Sequence, residues 1–558
     1  MKKITSSPRL LFVVAVFMYS CNNSSVSVQD KKGLSIQNIN LRVKPGDNFF
    51  LYANGSWLDT AKIPGTESRI GAGLEMYNST KEHIKSILEE VSKSNNAPGT
   101  IEQKVGDFYA SGMDTVAIEK AGYSPLKPSL QKINDIKDIN GLLQFIAGQA
   151  IIGNQMLIGQ FVGADEKNST KNIAAYYQSG LGLPDRDYYF KQDAPTQAVV
   201  KAYQTFIKKV FTLLGDDNAN AETNMAKVYE VEKQLAKSHR TNVELRNPQT
   251  NYNKMAVADL DKKMPLIGWK TLLHNLLVNT DSVNIGQPAY YTALNGLLTT
   301  VAMDSWKAYL RFHLVSNFAD ALSNDFVNAN FEFSGKALNG LQQLKERWER
   351  IYMQTDGNLG DALGQLYVKK YFTEDAKKRM LDLVNNLQRS FESRISKLDW
   401  MSDSTKQKAK EKLLSFIKKI GYTDKWRDYS KVSISKNSYF ENHIACSQNE
   451  YNYQVGKVGN PVDRSEWGMT PSTINAYYNP TFNEIVFPAG ILQFPMFDAN
   501  VDDAMNYGCI GMVIGHEMTH GFDDQGAQYD KDGNLKNWWS KEDFAKFKAK
   551  GQQVINLY

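Results

Sequence analysis

Three features of the 558-residue sequence predict a mainly α protein with a smaller β part. From Met76 to about Asp424, apolar residues recur mostly at the spacing of amphipathic helices, with breaks at Asn96 to Gly99, Leu183-Pro184-Asp185 and Asn247-Pro248. After about residue 425 the texture changes to short β-type runs and turns. In that second part lies a glycine-rich apolar helix, Gly508 to Asp524, carrying the most specific pattern in the chain, His516-Glu517-x-x-His520. Length alone predicts roughly two to four domains with substantial cores.

Residues 1–20 read as an export signal. Lys2, Lys3 and Arg9 accompany an apolar run from Leu10 to Met18, long enough for a signal-peptide core and too short to span a bilayer. Cys21 follows Ser20 in the manner of a bacterial lipobox, so a lipid anchor at Cys21 and a cell-envelope location are expected. Ordinary cleavage nearby without lipid is the alternative. Residues 21–38 read as a flexible tether. The formal charge of +5 includes the three cations of the leader, which leaves +2 on the remainder and no surplus that asks for nucleic acid. Lys406 to Lys412 read as a solvated helix face. With Cys21 lipidated, only Cys446 and Cys509 remain, too few for a disulfide framework. Oligomeric state has no signature.

Residues 39–424 form the mostly helical region. At its start, Val43 to Trp57 puts four aromatics after a Pro-Gly turn, expected to pack in a core. Near its end, Ser402 or Asp403 caps a helix in which Ala409, Leu413, Phe416, Ile417 and Ile420 share a face, with Gly421 as the stop. Leu183 to Phe190 is expected to be an ion-paired loop packed on a core. In residues 425–558, Thr473 to Tyr478 and Glu484 to Phe487 read as strands joined by Asn479 to Asn483 in a hairpin. Its edge can fix an extended peptide's register through the backbone, with Asn475 adding an amide, or the hairpin can be purely structural. Asp530-Lys-Asp-Gly-Asn534 reads as an Asp-Gly turn.

On a helix, positions 516 and 520 stand one above the other, so two imidazoles can grip one metal ion with Glu517 at its edge. Zinc suits this ligand set best. Cys509, Met512 and Val513 fall on the same face as an apolar wall. Gly508, Gly511, Gly515 and Thr519 form a small-residue stripe against which another backbone is expected to pack. Asp524, one turn past His520, is expected to accept the spare N–H of that imidazole.

Several stretches together resemble the neprilysin family of zinc metallopeptidases. They are the Gly-Asp-x-Phe-x-x-Tyr-Ala-x-Gly-x-Trp pattern at 46–57, Tyr109 to Asp114, Leu183 to Phe190, Asn475 to Pro480, Ile485 to Gln493 and Gly515 to Asp524. The resemblance implies a two-lobed zincin whose thermolysin-like catalytic lobe and large helical lobe enclose a central cavity, restricting substrates to oligopeptides. It implies one zinc ion per chain, His516 and His520 as ligands and Glu517 as general base. Asn475 and Ala476 would hold the substrate backbone, and Met496, Phe497, Met512 and Val513 would surround an apolar pocket for the side chain after the cut. Arg69 matches an arginine that grips the substrate's C-terminal carboxylate in some members, but Tyr77 stands where their second arginine does. Asn54 and Gly112 replace two cysteines of animal members.

A catalytic zinc of this type takes a third protein ligand. In the resembled family it is a glutamate in a Glu-Asn-x-x-Asp helix several tens of residues further on, followed by a histidine that stabilises the oxyanion. Glu542, the only glutamate after His520, sits in Ser540-Lys-Glu-Asp543, which reads as a helix start. The sequence therefore reads as an incomplete copy of an exported zinc endopeptidase, with little activity expected as written. The alternative is an inactive peptide-binding surface lipoprotein with a two-histidine half-site.

Overall fold

Two small sheets, each covered by helices, organise the computed structural model, which describes residues 35–557. The expected signal peptide, Cys21 and the tether up to residue 34 lie outside the described residues.

The larger lobe is built on a four-stranded sheet that the helical periodicity concealed. Its strands are β1 (Gly159–Asp165), β2 (Asn168–Tyr177), β3 (Lys254–Ala256) and β4 (Ser282–Ile285), in the order β1-β2-β4-β3. β1 and β2 form an antiparallel hairpin, and β4 runs parallel to β2. Helices Ala194–Leu213, Asn218–Ala236 and Met303–Phe318 pack beside it. Between those helices Glu232 is fully buried and accepts hydrogen bonds from Tyr189 (2.8 Å), Tyr203 (2.7 Å) and the His313 ring (2.7 Å). Tyr189 thereby anchors the Leu183 to Phe190 loop on this core.

A second core joins helices Ala72–Lys93, Ile101–Met113 and the kinked Arg347–Tyr371. The aromatics of Val43 to Trp57 do not belong to it. Their helix, Phe49–Leu58, leaves Phe49 68% and Phe50 61% exposed. Consecutive apolar residues at 49, 50 and 51 point around a helix, so one packed face cannot cover them all.

The smaller lobe holds β5 (Ile417–Gly421), β6 (Tyr477–Asn479) and β7 (Glu484–Pro488), in the order β5-β7-β6. Here the expected helix through Ile420 is corrected. Ser402 caps it as anticipated, but it ends at Leu414, and Ile417 to Gly421 pair with β7 as a parallel strand. The β-branched Ile417 and Ile420 gain a strand partner there that a continued helix would forfeit. The β6–β7 hairpin forms, with Tyr477 opposite Val486 and Asn479 opposite Glu484. Its strand is shorter than Thr473 to Tyr478 suggested. Asp530 to Asn534 is a tight turn, closed by Gly533 N–H on the Asp530 carbonyl (3.1 Å) with Gly533 at φ 85°.

The lobes meet where the β1–β2 hairpin tip reaches the smaller lobe: Tyr529 donates to Glu166 (2.8 Å) and Ser169 N–H to Asn534 (2.9 Å). Between the two sheets lies a cavity of about 350 Å³ lined by Val162, Tyr177, Tyr477, Asn479 and Glu484. Among the described residues no helix is long and apolar enough to cross a membrane.

Candidate active site

The histidine helix runs from Ile510 to His520 and packs through Ile510, Ile514 and Met518 on the core of the smaller lobe. That stripe leaves His516 exposed and His520 half-exposed on the opposite side. Their Nε2 atoms converge to 3.0 Å. With a proton on one ring this is an N–H···N hydrogen bond, and with both Nε2 atoms unprotonated their lone pairs face one shared point that a cation can occupy. Two Zn–N bonds of about 2.0–2.1 Å meeting near the tetrahedral angle separate their nitrogens by about 3.3 Å, so a small opening of the pair admits the ion. The residues therefore fit zinc. Among the described residues no group of three or more His, Cys, Asp and Glu side chains that could hold a metal occurs. Glu542 is exposed in the first turn of helix Lys541–Ile555, which Ser540 caps.

Glu517, between the histidines, is 5% exposed. Burial pushes its carboxyl above the usual range, and the neighbouring His520 and His516 pull it partly back. The carboxylate behind His520 is Asp523, which corrects the expectation for Asp524. Asp523 Oδ2 lies 2.8 Å from His520 Nδ1, while Asp523 Oδ1 accepts from the N–H groups of Gln525 (2.9 Å) and Gly526 (2.8 Å). The helix ends at His520, so the i+4 position is no longer on its face, and a turn swings the i+3 residue under the ring. Gly526 makes the turn possible, since a Cβ there would come within 1.8 Å of the His520 carbonyl. Asp524 points away to Arg246 of the larger lobe in a bidentate pair of 2.7 and 3.1 Å.

The small-residue stripe packs only at Gly511, which is buried with the Leu387 side chain 3.6 Å from a Cβ there. A Cβ at Gly508 or Gly515 would meet nothing within 4 Å, and Thr519 is exposed. The helix starts only at Ile510, which puts Gly508 and half-buried Cys509 before it. Of the other expected residues, Met512 and Val513 lie on the histidine helix and Met496 and Phe497 at its start. Met512 is 62% exposed one turn before His516, with half-buried Val513 beside it. The Met496 carbonyl accepts from Ile510 N–H (2.9 Å), which brings half-buried Met496 and buried Phe497 to the start of the helix. Exposed Asn475 and buried Ala476 immediately precede β6, an edge strand of its sheet. Arg69 is exposed ahead of helix Ala72–Lys93, whose Thr80 hydroxyl accepts from the Gln493 amide (2.6 Å). Tyr77 donates to Glu349 (2.9 Å).

Lys412 was missed. Read as part of a solvated face, it is 1% exposed, and its ammonium donates to the carbonyls of Gly521 (2.7 Å), Gly526 (2.6 Å) and Tyr529 (2.7 Å). Burial lowers its pKa to about 7, and the charges of Asp530 and Asp523 oppose this. The usable signal was position: Thr405, Ala409, Lys412 and Leu413 form one buried stripe, and a lysine inside such a stripe needs internal acceptors.

Comparisons agree with this geometry. Residues 45–423 and 475–558 match the two models of Peptidase family M13. Mouse neprilysin is 32% identical over 94% of this chain and 74% of its own length. The zinc metalloprotease Zmp1 of Mycobacterium tuberculosis, solved with an inhibitor, superposes with a TM-score of 0.91 at 37% identity, over 94% of this chain and 80% of that one. Zmp1 in its open state superposes at 0.75, with 38% identity over 92% and 80%. The chain belongs to peptidase family M13, the neprilysin-like zinc metalloendopeptidases.

Proposed function

We propose that this chain is an exported, lipid-anchored endopeptidase that cleaves oligopeptides on the amino side of apolar residues, using one zinc ion and Glu517. The observation that carries the reading is a buried carboxyl set between two imidazoles with converging Nε2 atoms, beside an edge strand. Held by His516 and His520, a zinc ion would polarise the scissile carbonyl and lower the pKa of a water toward neutrality. Glu517 takes the proton of the attacking water and passes it to the leaving amine. The edge of β6 pairs with the peptide backbone, and Asn475 adds a side-chain amide. Met496, Phe497, Met512 and Val513 offer apolar surface to the side chain after the cut. The inhibitor-bound form of Zmp1 superposes better than the open form, which supports a closed arrangement of the lobes and hence short peptides as substrates.

Glu517→Gln removes the proton acceptor and leaves both imidazoles. It is expected to keep zinc and to lower the parent's own hydrolysis of a fluorogenic oligopeptide, measured alongside and small if the sequence as written is the parent, by about 10²–10⁴-fold. Retention of most of the activity would overturn the assignment. Export and the anchor are tested separately by metabolic labelling with palmitate, which Cys21→Ser should abolish.

A further inference from the structure

We propose that Lys412 is a positioning residue for the metal site, holding the turn that aims His520. This rests on the reading of His520 as a zinc ligand.

The three carbonyls that receive the Lys412 ammonium come from Gly521, Gly526 and Tyr529, so one side chain gathers the segment that leaves the histidine helix. Three acceptors match the three N–H groups of a protonated amine. The rings of Tyr478, Phe522 and Trp538 surround the same nitrogen at 5.6–5.9 Å and exclude water. At a buried site neither the ammonium nor the neutral amine can exchange these carbonyls for solvent, so the turn is held to the position they define.

Asp523 sits inside that segment, two residues after Gly521 and three before Gly526. Its Oδ1 is fixed by the Gly526 N–H, on the same residue whose carbonyl Lys412 holds. Its Oδ2 is left aimed at His520 Nδ1, which keeps the proton there and the lone pair on Nε2, 3.0 Å from His516. A lysine in the helix Asp403–Leu414 thus sets the direction of an imidazole 108 residues away without touching it.

The test is zinc affinity of the purified chain, by competition with a chromophoric chelator, alongside urea unfolding. Lys412→Met fills similar space without the charge and is expected to weaken zinc about 10–100-fold. Lys412→Met combined with Asp523→Asn should bind no more weakly than Asp523→Asn alone, because both act through one hydrogen bond. Leu413→Ala, buried in the same helix but with no hydrogen bond to the turn, controls for general destabilisation and should weaken zinc less than Lys412→Met. Parent-like affinity in Lys412→Met, or a loss no larger than in Leu413→Ala, would overturn the proposal. If Lys412→Met does not fold, Lys412→Arg decides. Its flat fork keeps the charge but cannot serve three carbonyls converging on one point, so several-fold weaker zinc is expected and parent-like affinity refutes. His520→Ala separates the two levels: if it leaves zinc binding intact, the site reading itself fails, whatever the Lys412 variants do.

Discussion

Asp523 and Asp524 are chemically identical neighbours with different roles in the structure, and substituting each by asparagine separates them. In Asp523→Asn, the side-chain oxygen is claimed by two backbone donors, Gln525 N–H and Gly526 N–H, at 2.9 and 2.8 Å. The amide nitrogen must then face His520 Nδ1, which the carboxylate now meets at 2.8 Å. An amide donates where a carboxylate accepts, so Nδ1 becomes the acceptor and the ring proton moves to Nε2, the atom that faces His516. Zinc binding must undo that tautomer. Loss of an outer partner of this kind costs about 10–100-fold in metal affinity, or about 1.4–2.7 kcal/mol. Asp524→Asn leaves the His520 hydrogen bond in place and weakens only an exposed pair with Arg246. Chelator competition on the two variants at one pH should show the loss in Asp523→Asn and parent-like affinity in Asp524→Asn. Equal affinities, or the loss appearing in Asp524→Asn, would refute the assignment of Asp523 to His520.

Arg246→Ala removes a contact between the lobes, and since both partners are more than half exposed the stability cost is about 1 kcal/mol or less. Its expected signature is a larger radius of gyration in solution scattering, and an unchanged value would show that the pair does not help hold the lobes together. Glu232→Leu leaves the hydroxyls of Tyr189 and Tyr203 and the His313 ring buried without their acceptor, so urea unfolding should show a loss of about 3–5 kcal/mol, and a loss under 1 kcal/mol contradicts the network. Asp356, which accepts from Ser472 (2.8 Å), is raised by burial from 3.8 to about 6. The folded state therefore binds more protons between these two values, and its stability falls as pH rises through them, by about 3 kcal/mol at most. Asp356→Asn should flatten that slope between pH 4 and 6, and an unaltered slope would place the titration elsewhere.

What could be read from the sequence and what could not divides along chain separation. The grip of His516 and His520 follows from helical spacing alone, and the β6–β7 hairpin from two β-rich runs joined by a five-residue turn, because both are decided within a dozen residues. The partner of His520 was misplaced by one position for a local reason: i+4 presumes that the helix continues, and this one stops at the histidine. The strand at Ile417 to Gly421 was hidden because Leu413, Phe416, Ile417 and Ile420 satisfy a helical stripe as well as a strand, and only pairing with β7, more than sixty residues away, decides between them. Lys412 is the sharper case. A lysine's charge predicts exposure, and only the arrival of three carbonyls from more than a hundred residues along the chain reverses that prediction. Arg246 reaches Asp524 across 278 residues, and nothing near either residue marks the pair. The groups that would touch the metal were therefore legible, since a ligand motif is a property of one helix. The groups that aim and brace them were not, since orienting a helix from outside requires contacts that the helix cannot encode.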